Sequence, residues 1–558
     1  MVTLPPNPWQ RLLLAKPVVD VCIIGSGAGG GPIAYELSRA GKKVVVLEKG
    51  EYYKRSDFSK DEIAYTKRSI ITPSRSKEFH TILQEGQEYP TTHTHWNFWN
   101  GNIVGGSSNF MSGFFHRLHP DDFRLYSKFG AIEGANIVDW AIDYSDLAPY
   151  YDTVERIVGV SGVYQNAPFE PPRQHPHFPY PPTQEHPIAH LIDSVAHTIG
   201  IQTLVTPRAI LTHDTPMRNK CYYSNYCGSY GCSSGAKGSA LEALLNPALQ
   251  TGNLTIIPNA HVLKLHEQKG KVAYVSYIDK DLNLKRTLKA KVFVVAAQAI
   301  ESARLLLNST SSNFPNGLAN NSGQVGKNLL FSGGGTLEGT LTQKQCDLKQ
   351  LMVEGLFVNR VIKDFYAIDN QKGGIMELHL EHANPIRKAY KSIWHDNKLL
   401  WGEALYDRLY RRFNDEKRLT LEIFNDWLPH DGCYVTLDTK RHDCYGMPVA
   451  KVAIASHPHN EKIGNRLALE AMKFFKALGV TQIEGAITPN PPSNLQAGGC
   501  RFGNDPKSSV LNKECKSHEV DNLYITDGSF MPTGGSLPYT FSIYANSFRV
   551  AQHLKAIL

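Results

Sequence analysis

The chain has 558 residues, 20% of them charged and 42% hydrophobic, with a formal net charge of +7 and a pI near 8.7. That length exceeds what one core usually serves, so two closely joined domains are expected. A mild charge with no dense basic run excludes a nucleic-acid-binding strip, and no apolar stretch approaches the roughly 20 residues of a membrane span. Residues 1–20 hold prolines and one short apolar patch, Leu12-Leu13-Leu14, and do not read as a signal peptide. A cytoplasmic location is therefore expected, or a periplasmic or membrane-associated one if a partner subunit carries the chain out. Nine cysteines without a secretory signal argue against a disulfide framework.

The first predicted element is Val21-Cys22-Ile23-Ile24, a buried-strand run in which Cys22 is core packing. Gly25-Ser26-Gly27-Ala28-Gly29-Gly30 follows, then an amphipathic helix, then the strand Val44-Val45-Val46-Leu47 ending in Glu48. Strand, glycine turn, helix and terminal acid in register predict a Rossmann-like dinucleotide site. Gly25 permits the tight turn and Gly27 lets the backbone approach a pyrophosphate. Gly30 lets the helix pack on the strand, and Ala28 lies where the helix N-terminus offers its amide dipoles. Glu48 would accept hydrogen bonds from ribose hydroxyls. This motif alone leaves FAD and NAD both open.

Residues 52–97 are polar and mixed, with His93, His95, Trp96 and Trp99 near their end. Gly101-Asn102-Ile103-Val104-Gly105-Gly106-Ser107-Ser108-Asn109 cannot form a helix or strand interior and predicts a loop where backbone approaches something closely. A helix opens over residues 144–151, and the proline-rich residues 167–187 form an extended connection. Cys221, Cys227 and Cys232 cluster, while the other cysteines are scattered. A short helix at 239–250, strands at 254–258, 262–266, 272–277 and 291–297, and a helix at 299–308 would extend the first sheet. From 331 to 455 short strands with turn signals predict a second, antiparallel-rich layer. Inside it, residues 385–417 are helical, basic and aromatic. Leu405 and Leu409 share one face and Tyr406 and Tyr410 another, and the segment is read as a lid or packing helix in preference to a membrane- or partner-docking one. A last helix at 461–478 precedes a glycine-rich C-terminal block.

Four separated blocks together resemble the glucose-methanol-choline (GMC) oxidoreductases. They are the N-terminal motif to Glu48; Gly101 to Asn109; residues 291–307 with Gly326-Lys327-Asn328-Leu329-Leu330; and Asn522 to Pro532, which contains Asp527-Gly528. The resemblance implies FAD, with the loop of Gly105, Gly106, Ser107 and Asn109 along the diphosphate and flavin. Val262 would meet the adenine through its backbone, and Asp527 and Gly528 the ribityl-pyrophosphate. No histidine stands shortly after Gly106 where some relatives attach flavin covalently, so non-covalent FAD is expected. The implied fold is α/β: a Rossmann-like FAD-binding domain (15–120, 206–330 and 486–558) with an inserted substrate domain of mainly antiparallel sheet plus helices (121–205 and 331–485).

Phe115 to Phe123 and Trp140 to Tyr144 resemble in particular the bacterial FAD-dependent gluconate, fructose and glucose dehydrogenase large subunits. So do Cys221, Cys227 and Cys232 with Gly235-Ala236-Lys237-Gly238-Ser239. Some of those enzymes hold a [3Fe-4S] cluster there, and three thiolates suit one. Ser224 stands where relatives often have a further cysteine, and free thiols or a zinc staple are the alternative readings. The resemblance implies dehydrogenation of a CH–OH group of a sugar, sugar acid or polyol by hydride transfer to flavin N5. A small subunit and a cytochrome or other carrier would take the electrons.

The family's proton-accepting histidine and its His or Asn partner do not carry over. Their positions fall at Leu495 (or Asn494, with one more loop residue) and at Leu537 or Pro538. Asn494 can orient a hydroxyl; either Tyr539 or a histidine such as His116 or His119 is the proton acceptor, or the reaction needs no strong base, as with an easily ionised substrate. Two further readings stay open: an oxidase of long-chain or steroid-like alcohols, and a flavin electron-transfer subunit without a substrate of its own.

Overall fold

The computed structural model describes residues 19–66, 78–94, 96, 98, 100–395, 398–487, 490 and 495–558. The apolar runs expected as buried strands pair into one five-stranded parallel sheet. Its spatial order is Leu523–Ile525, Ala290–Val295, Val19–Ile24, Val44–Leu47 and Leu254–Ile257. Cys22 sits in register with Val45 on one side and Phe293 on the other and is fully buried. A parallel sheet is covered on both faces, which is why these strands are apolar at nearly every position. The helices Gly31–Arg39 and Thr540–Ile557 pack together on it, with Tyr35 edge-on to Phe548 at 6.2 Å between centroids. Distant parts of the chain thus share one core.

A second sheet of six strands runs in the order Thr481–Ile487, Ser332–Leu341, Lys417–Asp426, Gly374–Leu380, Arg360–Ile362 and Thr203–Val205, with every neighbour antiparallel. Alternation along Lys417–Asp426 sends Leu419, Leu421 and Ile423 to one face. There they pack against Ile463, Leu467, Phe474 and Phe475 of the helix Pro458–Leu478, whose N-terminus His457 caps. Thr420, Glu422 and Phe424 point to the opposite face, toward the parallel-sheet half.

Two expectations change. Residues 262–266 and 272–277 do not extend the parallel sheet: Ala260–Gln268, Lys271–Asp279 and Leu284–Leu288 form their own antiparallel three-stranded sheet. The Gly270 turn, at φ +77°, returns the chain as a hairpin, whereas a parallel partner would need a long crossover. The segment 385–417 is not one packing helix. Helices Pro385–Ser392 and Gly402–Asn414 lie side by side, with Lys388 Nζ 4.5 Å from the Phe413 ring. Leu405 and Leu409 are half-buried, whereas Tyr406 and Tyr410 stack 6.3 Å apart facing outward and Trp401 is 81% exposed.

Candidate active site

The N-terminal glycine turn forms one wall of a cavity of about 370 Å³. Gly25 has φ +96°, and a Cβ there would lie 2.3 Å from the Ala296 carbonyl oxygen, so no larger residue fits between the two strands. The second glycine loop meets the first at Gly106, φ +58°, where a Cβ would lie 3.0 Å from Gly27 Cα. Among the described residues, the amides of Gly27, Ala28 and Gly29 donate to no protein acceptor. Free amides at a helix N-terminus are the donor set a pyrophosphate requires.

Glu48 closes the next wall. Its Oε2 accepts from Ser26 N at 3.0 Å and Ser26 Oγ at 2.5 Å, and its Oε1 from Gly50 N at 2.9 Å. Ser26 Oγ in turn accepts from Gly105 N at 2.9 Å, so the acid ties both glycine loops together. Burial pushes the Glu48 carboxyl above its ordinary range, and these hydrogen bonds only partly offset it. Asp527 caps the short turn Gly528–Phe530 by accepting from Ser529 N at 2.9 Å, and Ser302 Oγ donates to its other oxygen. Its carboxylate therefore serves the turn, as burial raises its pKa.

Gly25, Gly27, Ala28, Glu48, Gly106, Ser107, Val262, Asp527 and Gly528 all line this cavity. Gly30, Gly105 and Asn109 do not: Gly30 has the close-packing role expected of it, while for Gly105 and Asn109 this corrects the expected place along the cofactor. A Cβ at Gly30 would sit 2.1 Å from the Gly25 carbonyl, and one at Gly105 would meet Leu241 at 2.7 Å. Asn109 Nδ2 donates to Val104 O and Gly106 O, both at 3.0 Å, holding the loop from behind. These three shape the cradle.

The far end of the cavity is walled by Phe98, Met111, Ser112, Gly113, Phe114, Glu422, Phe424, Leu495, Pro538 and Tyr539. Asn494 lies outside the described residues. Tyr539 reaches the cavity with its ring, but its hydroxyl donates to the Phe331 carbonyl and burial holds its pKa well above the ordinary value. It cannot accept a proton near neutrality, which corrects that assignment. His116 is buried against Glu377, and His119 accepts from Asp121 N at 3.2 Å as a cap, with burial pulling it down to about 4. Neither histidine lines the cavity, and none of the described residues of 385–416 does so as a lid.

Glu422 is the group that sequence reasoning missed. It sits mid-strand in Leu421-Glu422-Ile423, where nothing local marks it; its only signal is a charge on an inward-alternating position. Burial, with the Glu377 charge added, pushes its carboxyl up to about 7.

Cys221, Cys227 and Cys232 come together in a second cavity, of about 80 Å³, with Arg208, Lys237, His379 and His382. Ser112 and Phe114 line both cavities and form their common wall. Lys237 Nζ is buried and donates to Tyr230 O at 2.8 Å, Cys227 O at 2.9 Å and Asn109 O at 3.2 Å. Arg208 lies between the Phe114 and Phe357 rings and donates to Ser112 O at 2.9 Å. Among the described residues, the hydrogen-bond acceptors of both cations are carbonyl and amide oxygens, with no carboxylate. Burial pushes the Cys221 thiol up to about 12. At Cys232 burial acts the same way but is outweighed by Lys237 and hydrogen bonds, leaving that thiol below its ordinary value. No group of three or more His, Cys, Asp or Glu among the described residues is placed to hold a metal ion.

The family described as GMC oxidoreductase matches residues 79–331 with its N-terminal and 429–547 with its C-terminal sequence profile. An FAD-binding domain profile matches residues 20–64. The chain is a GMC oxidoreductase. It is similar to the 2-methyl-1,2-propanediol dehydrogenase of Mycolicibacterium austroafricanum, at 28% identity over 96% of this chain and 95% of that protein. It is also similar to the fructose dehydrogenase large subunit of Gluconobacter japonicus, at 26% identity over 95% of this chain and 97% of that protein. Among solved structures, the pyridoxine 4-oxidase from Mesorbium loti superimposes with a TM-score of 0.62 over 96% of this chain and 99% of that one, at 17% identity, a likeness of fold alone.

As a GMC oxidoreductase the chain binds FAD, and the cavity's open amides, ribose-side acid and two meeting glycine loops fit that cofactor. At the positions where the sequence resemblance places the family's proton-handling residues, the structure is apolar. Leu495 faces the cavity at φ +59°, and Leu537 is buried at 4% exposure, so both positions are apolar. No helix among the described residues is long and apolar enough to cross a membrane.

Proposed function

We propose that the chain is a dehydrogenase that oxidises a CH–OH group of a sugar, sugar acid or polyol and passes the electrons through an iron–sulfur cluster to a carrier protein. The observation that carries this reading is the wall of Ser112 and Phe114 shared by the FAD and cysteine cavities. Non-covalent FAD would be held by the amides of Gly27, Ala28 and Gly29 at the pyrophosphate, Glu48 at the ribose and Val262 at the adenine. When bound, the flavin supplies a two-electron acceptor for hydride.

The thiols of Cys221, Cys227 and Cys232 suit a cluster of several irons, whose bridging sulfides spread the protein ligands further apart than one ion does. Arg208 and Lys237, buried with no carboxylate among their described hydrogen-bond acceptors, would compensate the negative charge of three thiolates. A small subunit and a cytochrome or other carrier are the partners this reading requires.

The test is the absorption and EPR spectrum, iron content and flavin content of protein purified without air, followed by an anaerobic screen of polyols, sugar acids and primary alcohols for flavin bleaching. The reading expects iron, an EPR signal in the oxidised protein, and dye reduction faster than peroxide production. Iron-free protein with strong oxidase activity would overturn the electron-exit part. Phe98, Phe114, Phe424 and Leu495 at the far end of the cavity favour a second reading, oxidation of a longer apolar alcohol, which bleaching by such alcohols alone would support.

A further inference from the structure

Taking hydride from a CH–OH group requires that the hydroxyl lose its proton, and the apolar Leu495 and Leu537 leave that task to another group. Among the described residues, seven titratable side chains line the FAD cavity: Glu48, Lys49, His261, Glu301, Glu422, Asp527 and Tyr539. Five are committed elsewhere. Glu48 holds Ser26 and Gly50, Lys49 pairs with Glu78 at 2.6 Å, Glu301 pairs with His80 and Arg304, Asp527 caps its turn, and Tyr539 bonds to Phe331. His261 stands beside Val262 at the Glu48 end, facing Lys49 and Arg304, and is pulled down to about 4.

Glu422 is different. No hydrogen bond to its carboxylate is made by any described residue; its one ionisable neighbour within 4 Å among them is His379 Nε2 at 3.8 Å. Its side chain keeps 35% of its surface open, on the side that lines the cavity. It projects from the strand Lys417–Asp426, two residues before Phe424, which walls the same end as Leu495.

We propose that Glu422 is the catalytic residue that accepts the substrate's hydroxyl proton, and that His379 is the positioning residue beside it. The inference rests on the dehydrogenase reading above. The O–H bond breaks with its proton going to the Glu422 carboxylate. The C–H bond breaks with its electron pair, leaving as hydride to the flavin, and the freed oxygen pair completes the C=O bond. A carboxylate on a strand of the second sheet thus does the work that the family's loop histidine performs.

The titratable groups around it come from three strands. Directly opposite is Glu377, itself held by His116 and by Thr206 Oγ1 at 2.8 Å. His379 and Glu338 flank it from the two neighbouring strands, and Arg418, two turns of the pleat away on its own strand, is paired with Glu338 and Glu484. Arg208 acts on Glu377 and His379 from behind. The carboxylate form is the proton acceptor, so flavin reduction should rise with pH through about 7 and level off above it.

The experiment uses the FAD-loaded full chain and an alcohol that bleaches it anaerobically. E422Q should slow bleaching by roughly 10²–10⁴-fold and abolish the rise through neutrality, while E422D retains part of both. Flavin content and the visible spectrum should stay as in wild type, which separates lost chemistry from lost folding. Independently of turnover, infrared titration should find a protonated carboxyl band with a midpoint near neutrality in wild type that is missing from E422Q. H379Q should shift that midpoint, a change that a purely structural role for His379 would not produce. Bleaching of E422Q at the wild-type rate, or an unchanged carboxyl band, would overturn the role of Glu422 alone. A wild type that no hydroxyl compound bleaches would overturn the dehydrogenase reading and this role together.

Discussion

Glu422 and Glu377 stand directly opposite each other on adjacent antiparallel strands, both on the sheet face turned toward the FAD-binding half. Their charges are held unequally. Glu377 has His116 on one oxygen and Thr206 on the other, whereas Glu422 has only His379 at 3.8 Å. Burial raises the Glu422 carboxyl, and the Glu377 charge opposite adds to it. Glu422 thus stands apart from the other described acids lining the cavity, which are hydrogen-bonded or ion-paired.

The sign of that shift makes a stability prediction. Glu422 is raised from 4.5 to about 7, so the folded chain holds its proton more tightly than the unfolded chain does. Its contribution is fully present below about pH 4.5 and is lost as pH rises through about 7. E422Q removes the ionisation and should therefore raise Tm relative to wild type more at pH 8 than at pH 5. Thermal melts of both proteins at the two pH values check this.

Tyr539 should prove structural. Y539F leaves the buried Phe331 carbonyl without its donor and is expected to cost about 1–3 kcal/mol in stability. The pH dependence of flavin bleaching should remain that of wild type. Denaturant unfolding alongside the pH profile measures both; a profile that loses its rise through neutrality would make Tyr539 part of the chemistry.

Gly106→Ala tests the place where the glycine loops meet. A Cβ at φ +58° costs about 1–2 kcal/mol of backbone strain and adds a contact 3.0 Å from Gly27 Cα. FAD affinity is expected to fall by about tenfold or more, measured by the fluorescence of released flavin.

The cysteines should separate the two half-reactions. C221S, C227S or C232S is expected to lower iron content and slow reduction of an external carrier at least tenfold, while substrate still bleaches the flavin at the wild-type rate. Iron analysis and stopped-flow spectra of each variant report the two effects separately. Carrier reduction unchanged in all three would remove the cluster from the electron path.

Local motifs were legible in the sequence because their physics is local. The turn from Gly25 to Gly30 is set by backbone sterics within a few residues, and the apolar strands Val19–Ile24, Val44–Leu47 and Ala290–Val295 announce a sheet buried on both faces. Gly270 was a weaker signal: residues 260–279 look like strands of any sheet until the hairpin is seen to close on itself. The helical pair 385–414 was misread for a related reason, since periodicity shows that a helix has two faces but not which one finds a partner.

The chain by itself thus determined the cofactor half of the site, since FAD is gripped by contiguous glycine loops and one terminal acid whose spacing survives in one dimension. The resemblance also implied that apolar residues, Leu495 and Leu537 among them, stand near the family's proton-handling positions. Only the tertiary structure decided what fills that gap. Glu422 becomes distinctive through the register that sets Glu377 against it, the loop that brings Leu495 to the same cavity and the hydrogen bonds that occupy its rivals. Those are pairings across tens to hundreds of residues, and a carboxylate's pKa depends on what surrounds it in space, not on what precedes it in sequence.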